Sequence, residues 1–440
     1  MTTLATARTD ITPAPMAMGG YTSPTPRMAT GTYSPLYARV TVLRDPAPRA
    51  IVTLDVGTLP AAWSAALLAR LVALTTWTSS DIVLLGTHTH NAPMSPSDPD
   101  PWITYGATDL TACTAYWTAL ADEVVELVTT ALGGPQTAVT LDYQATSQSW
   151  SASRTQPATY TETTVPVLVA RRTNGIPAAV LFGYGCHPVT AGSQTLFDGD
   201  YPSGACAVVE AAIPECHAQF IPGPAGDQDP TYVPRGWANR NILSARLGNE
   251  VVKTASVAGR ALTGAITIAR SSVNLALQAS DLVGLRAGYA SRLTNPAFAA
   301  YPLYLRHAQW AIDRIDAGSP PTTITLPIQM WRLGSPILRL LFLGGEPVSG
   351  FGLWVRNHYG GTSGIVLVGY ATDTQCYVVG DTFFPPYDSN GSYEGGWNSY
   401  DPALAGESMC AYAHVGHFRY SPDPLAAEPV LLAALTAALA

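Results

Sequence analysis

Eight histidines occur in the chain, and three of them follow apolar runs. His88 and His90 stand two apart in GTHTHNAP, directly after DIVLLGT. In an extended chain, residues two apart share a face, so both rings can point into one site. Imidazole can ligate a metal or carry a proton near neutral pH. A hydrogen-bonded histidine pair at a strand end is the alternative. His187, in YGCHPVT, follows AAVLFGYG. Cys186 beside it would face the other side of a strand and belong to the core. Glu346 follows FLGG and precedes Pro347. It can cap a helix beginning at EPVSGFGLWV, since acids favour a first turn, or be supplied across a sheet as a ligand. Two histidines and a carboxylate, with one position left for water, are a common catalytic zinc set. Zinc so held polarises a carbonyl and acidifies its water.

Other candidates have plainer readings. His414 and His417, spaced i, i+3 in AHVGHFRY, lack a carboxylate partner and contain Gly416 between them. His217, His307 and His358 read as surface or satisfied core residues. Asp10 reads as a turn residue. Asp198 and Asp200 in FDGDYPSG suit a tight turn, with Asp200 able to orient a ligand from behind. Asp227 reads as a backbone-bonding residue near the site.

These residues must be delivered by the elements before them. Short apolar runs bounded by turn residues read as buried strands. AIVTLD ends in Asp55, DIVLLGT runs into His88 and His90, and AAVLFGYG into His187. AQFIPGPAG ends at Asp227, ILRLLFLGG at Glu346, and GIVLVGYAT leads to Asp373 and Tyr377. Open α/β sheets bind ligands at the carboxyl ends of their strands. Helical spacing appears over 61–77, over 114–132 with Gly133-Gly134 as a stop, and in the C-terminal DPLAAEPVLLAALTAALA with Pro424 early. Strands interleaved with helices make the class α/β. The segments 91–106 and 380–400 read as surface loops, the latter with aromatics that are core or the wall of a pocket.

Charged residues are only 12% of the 440, apolar residues are 47%, and the net charge is −8. Such a chain buries a large core and is a poor partner for nucleic acid. No composition break divides it, so 1–440 is expected to be one catalytic domain. Six cysteines include no CxxC pair, and a reduced interior is expected. The start MTTLATARTDITPAP lacks the features of a secretion signal. No run is long enough for an integral membrane segment. The expected compartment is the cytoplasm, or the exterior if a native signal was removed.

Several stretches in order along the chain resemble the catalytic domain of the neutral/alkaline ceramidase family. They are DITPAPMAMGGY with PLYARVTVL, GTHTHNAP, GYGCHPVTAG with DGDYPSGA, GPAGDQDP, and LGGEPVSG with GYATDTQCYV and YEGG. The resemblance implies layered mixed β-sheets flanked by helices. It also implies one Zn2+ held by His88, His187, Glu346 and Tyr377. His90 would handle substrate and protons, Arg154 in SASRTQP the carbonyl oxygen, and Tyr393 in the YEG segment would assist. The family cleaves the amide of N-acylsphingosines. Asp229 stands where the family carries a serine, so a hydroxyl that can donate a hydrogen bond is replaced by an acceptor. Asp229 is thereby a candidate base, ligand or substrate contact. The expectation is a zinc-dependent amidohydrolase acting on a small-molecule amide. A zinc esterase or lactonase on the same scaffold, or a non-catalytic relative that binds a ligand, are the alternatives.

Overall fold

The computed structural model describes residues 2–155, 160–318 and 320–440. Its centre is a twelve-stranded mixed sheet that branches. The long strand Thr137–Ser147 is the branch point, pairing with Thr2–Asp10, Thr164–Arg171 and Arg260–Ala276. One arm runs on through Tyr37–Arg44 and Pro48–Leu54 to Ile82–Gly86. A second runs through Pro177–Phe182 to His217–Phe220. The third runs through Thr323–Ser335 and Leu338–Leu343 to Ile365–Val368. The expected layered sheets are therefore hydrogen-bonded into one network.

Alternation along the strands explains the layers. In Ile82–Gly86, Ile82 and Leu84 face one core while Val83 and Leu85 face another. In Leu338–Leu343, Leu341 and Leu343 face outward to helices, and Leu338, Leu340 and Phe342 face inward. A strand covered on both sides has no polar face, which is why these segments are continuous apolar runs. The inward residues of the arms meet in a core between sheet layers. It contains Ile51, Val83, Leu181, Trp331, Phe342 and Val368.

Helices cover the outer faces. Ala61–Leu74 and Thr111–Gly133 cover the first arm. Asp200–Ala212 and Trp237–Ala255 cover the second. Leu282–Thr294, Pro302–Asp316, Ser349–His358 and Ala427–Leu439 pack with the third. Thr111–Gly133 buries Cys113, Trp117, Leu120, Ala121, Val124, Leu127, Val128 and Ala131, an apolar stripe at helical spacing. The C-terminal helix begins at Ala427, so Pro424 precedes it and Pro429 is the proline of its first turn.

Most pairings are antiparallel, but the outermost pair of each arm is parallel. These pairs are Pro48–Leu54 with Ile82–Gly86, Pro177–Phe182 with His217–Phe220, and Leu338–Leu343 with Ile365–Val368. The chain segments leaving their carboxyl ends carry His88, His187, Asp227 and Glu346.

Two loop expectations need correcting. The segment 91–106 is not a surface loop. Asn91, Ala92 and Met94 are buried, and Pro101–Tyr105 is a short helix capped by the Asp100 carboxylate. The segment 380–400 is mixed. Phe383, Phe384 and Trp397 are core, while Tyr387 and Tyr400 are exposed. All six cysteines are free and buried. Among the described residues, no helix is long and apolar enough to cross a membrane.

Candidate metal centre

The parallel strand Ile82–Gly86 ends before the histidine pair, so the extended geometry expected for the THTH segment does not hold. His88 has a left-handed backbone, φ 67°, and its amide bonds Val56 O at 2.9 Å. A non-glycine residue held in this region costs energy and commonly marks a functional position. The two rings still converge, 4.8 Å apart and edge-on, with Nε2 to Nε2 3.3 Å.

His187 comes from the second arm and is fully buried. Glu346 comes from the third and is brought beside Tyr377 by a two-residue parallel pairing, Glu346↔Tyr377 and Pro347↔Val378. Glu346 thus lies outside the following helix, which begins at Ser349, and does not cap it. The AGD turn packs against this strand so tightly that a Cβ on Gly226 would lie 2.7 Å from Glu346 O.

The tautomers follow from the hydrogen bonds. His88 Nδ1–H donates to Gly57 O at 2.6 Å, and His187 Nδ1–H donates to Ala225 O at 2.7 Å. Both Nε2 atoms are then lone pairs. They face Glu346 Oε2 at 3.0 Å and 3.4 Å. Tyr377 Oη lies 3.2 Å from His187 Nε2. Glu346 Oε2 is buried with no hydrogen-bond donor, and so is His90 Nδ1. Tyr377 O–H can supply a hydrogen to His187 Nε2 and His90 Nε2–H one to His88 Nε2, but none reaches Glu346 Oε2, and a carboxylate oxygen facing two lone pairs is repelled unless a cation lies among them. The donor types and their carbonyl-anchored imidazoles are those of a metal site. The ring nitrogens of His88, His90 and His187 lie within 4.8 Å of one another and could hold a metal ion.

Burial opposes a proton on His90 and on His187. Burial, with His88 and His187 beside it, holds His90 well below the usual histidine range. Burial and then Arg154 lower His187. Burial favours a protonated Glu346, and it takes positive charge at the His88 and His187 positions to hold the carboxyl well below its ordinary value, charge that a bound cation would supply if the rings are neutral. Burial, then Glu346, pushes the Tyr377 phenol well up.

Arg154 is positioned beside this cluster. Its Nε donates to Glu394 Oε1 at 2.5 Å, Nη1 to Asp229 Oδ1 at 3.2 Å, and Nη2 to Gly226 O at 3.0 Å and Tyr377 Oη at 3.1 Å. Its guanidinium also lies 5.7 Å from the centre of the Tyr393 ring. Asp229 is shared between Arg154 and Arg235. Burial would raise its carboxyl, but Arg154, His187 and Arg235 prevail and lower it.

The structure therefore brings His88, His90, His187, Glu346, Tyr377, Arg154 and Tyr393 together, with Asp229 behind Arg154. It leaves others outside. His414 donates to Gln375 O, and His417 contacts Phe418 O and Pro402 O. Asp227 accepts from Ser349 N at 2.7 Å and Ser349 Oγ at 2.9 Å. Asp200 accepts from the amides of Thr190 and Ala191, ordering the loop after His187. Asp198 pairs with Arg240. Sequence reasoning missed Tyr412, whose hydroxyl donates to Glu346 Oε1 at 2.6 Å, and Tyr370, whose ring lies 4.5 Å from that of His88. It also missed Glu394. A carboxylate beside Tyr393 in an aromatic, glycine-rich stretch was the available signal, since a buried arginine needs an anion.

Layered α/β architecture with a histidine–carboxylate cluster at the ends of parallel strands defines the class. Among solved structures, neutral ceramidase from Pseudomonas aeruginosa is similar over 94% of this chain and 72% of that one, with TM-score 0.69 and 18% identity. A ceramidase structure described as complexed with C2 gives TM-score 0.67 and 17% identity over 94% and 73%. The chain has the neutral ceramidase fold. No family model matches the sequence, and no curated protein matches it.

Proposed function

We propose that the chain, acting as one catalytic unit over 1–440, is a zinc-dependent hydrolase that cleaves an amide bond of an N-acyl amine-type substrate. One observation carries the reading. Two imidazole lone pairs and an orphaned glutamate oxygen, from three different arms of the sheet, meet within 3.4 Å on a ceramidase fold. Ligands would be His88, His187, Glu346 and Tyr377. Bound there, zinc supplies Lewis-acid polarisation of the carbonyl and acidifies water.

The remaining side chains divide the work. His90 Nε2 stands at the cluster, 3.3 Å from His88 Nε2, where it can take a proton from the attacking water and return it to the leaving amine. Asp229 is less suited to that task, because two guanidiniums occupy its carboxylate and stabilise its ionised form. Its part is to hold Arg154. Arg154 and Tyr393 present donors for the negative charge that grows on the carbonyl oxygen, usually the largest contribution in such chemistry. The dry walls around His187 and Glu346 strengthen those interactions.

The test is a matched pair of amide and ester substrates offered to the zinc-loaded protein and to His88→Ala. Amide hydrolysis by the native chain, lost in the variant, is the expected result. Turnover confined to the ester would replace amidase by esterase. Full turnover by the variant would remove the metal from the account.

A further inference from the structure

A narrow cavity opens beside the cluster, lined in part by His88, His90, Glu346, Tyr377, Tyr393 and Tyr412. Its volume is about 40 Å³, counted as space for the centres of water-sized molecules. At roughly 10–15 Å³ per water on that measure, it holds about three waters. The rest of its wall is small or hydroxylated. Ala92, Pro93, Pro99 and Ala411 give it short apolar surface and Thr58 and Ser95 give it hydroxyls, while Leu, Ile, Val, Phe and Met contribute nothing. A fatty chain gains its affinity by burying CH₂ after CH₂, and a cavity of about 40 Å³ has room for only the first few. Apart from Glu346 in the cluster, the wall carries no acidic or basic side chain other than the two histidines.

The wall is also fixed. Gly20 lies against His90 so closely that a Cβ there would sit 2.7 Å from His90 Cα, and its φ is +95°. The Gly20 amide donates to Tyr105 Oη at 3.0 Å. Arg27 ties the same wall together, donating to Gly19 O at 2.6 Å and His90 O at 2.5 Å. Across Tyr377 and Tyr393 from this cavity lies a more highly charged environment, the chain of ion pairs Glu394–Arg154–Asp229–Arg235. Arg154, Asp229 and Arg235 are each partly exposed. Bringing two lipid tails over these charges would strip their water without compensation.

Resting on the hydrolase reading above, we propose that the cavity receives the acyl part of the substrate and admits only a short, uncharged one. Its size is about that of an acetyl or propionyl group. The amine part is polar and lies toward the ion-pair chain. The substrate is then a small water-soluble N-acyl compound and not a long-chain lipid amide.

The probe is a pair of metal-chelating acyl compounds, acetohydroxamate and octanohydroxamate, titrated calorimetrically into the zinc-loaded full chain. Acetohydroxamate should bind at least tenfold more tightly. Tighter binding of octanohydroxamate overturns the proposal, and so does binding of neither by protein that holds zinc. Turnover is read separately with the p-nitroanilides of acetate, butyrate and octanoate. A fall in kcat/KM of at least tenfold from acetyl to octanoyl is expected, and a rise with chain length overturns the proposal. Selective acetohydroxamate binding without turnover of any amide or ester would uphold the cavity assignment and remove the hydrolase reading.

Discussion

Tyr412 donates its phenolic hydrogen to Oε1 of the buried Glu346 at 2.6 Å, which leaves Oε2 facing His88 and His187. The glutamate is thus oriented from behind by a residue 66 positions later. Partners of this kind fix a ligand's direction, and losing one commonly costs about 10–100-fold in metal affinity.

Tyr412→Phe should therefore weaken zinc binding by about 10–100-fold while the protein stays folded. Competition with a chelator of known affinity, read beside the thermal unfolding curve, checks this. An unchanged zinc affinity would separate Tyr412 from the site.

Arg154 makes four polar contacts with a planar fork, and lysine cannot reproduce them. Arg154→Lys should lower kcat by about 10²–10³-fold if the guanidinium stabilises the oxyanion. Zinc content should be largely retained, since of the four proposed ligands only Tyr377 bonds Arg154, at 3.1 Å. Equal kcat in the variant would assign Arg154 to packing alone.

Two histidines remote from the cluster give the fold an acid limit. Burial pushes His217 and His307 down to about 3, against about 6.5 in an unfolded chain. Below pH 6.5 the unfolded chain binds the extra protons, so stability falls as pH drops from about 6.5 toward 3. The loss approaches about 1.4 kcal/mol per pH unit for each histidine. Asp55 and Asp373, raised by burial to about 6 and about 7, act in the opposite sense. The comparison of variants therefore carries the test. Urea midpoints at several pH values between 7 and 4 should fall less steeply in His307→Gln than in the native chain. Parallel profiles would show that His307 does not set the limit.

Much of the scaffold can be read from the sequence because both faces of the strands are covered. The runs IVLLG, AAVLF and LRLLFL are legible as buried strands, and the residues following them are the ones that meet. The pairing of arms is less legible. Whether Glu346 caps a helix or enters the site is decided by its pairing with Tyr377, 31 residues later, and no local pattern contains that information. The extended HTH premise expects the rings of His88 and His90 to converge, and they do, but on a different backbone, since His88 is left-handed. Tyr412 was hidden for another reason. Orienting a carboxylate requires only one hydroxyl at the right place, and a lone tyrosine near the C-terminus has no spacing signature. The segment 91–106 was misread because proline and aspartate signal turns, and turns can be buried when their side chains cap a short helix, as Asp100 does.

The most direct test of the metal centre is elemental analysis of purified protein, native and Glu346→Ala. The account predicts about one zinc per chain in the native protein, the stoichiometry of a single tetrahedral site, and its loss in a variant that remains folded. A folded native chain that contains no zinc and takes up none when it is supplied would contradict the account.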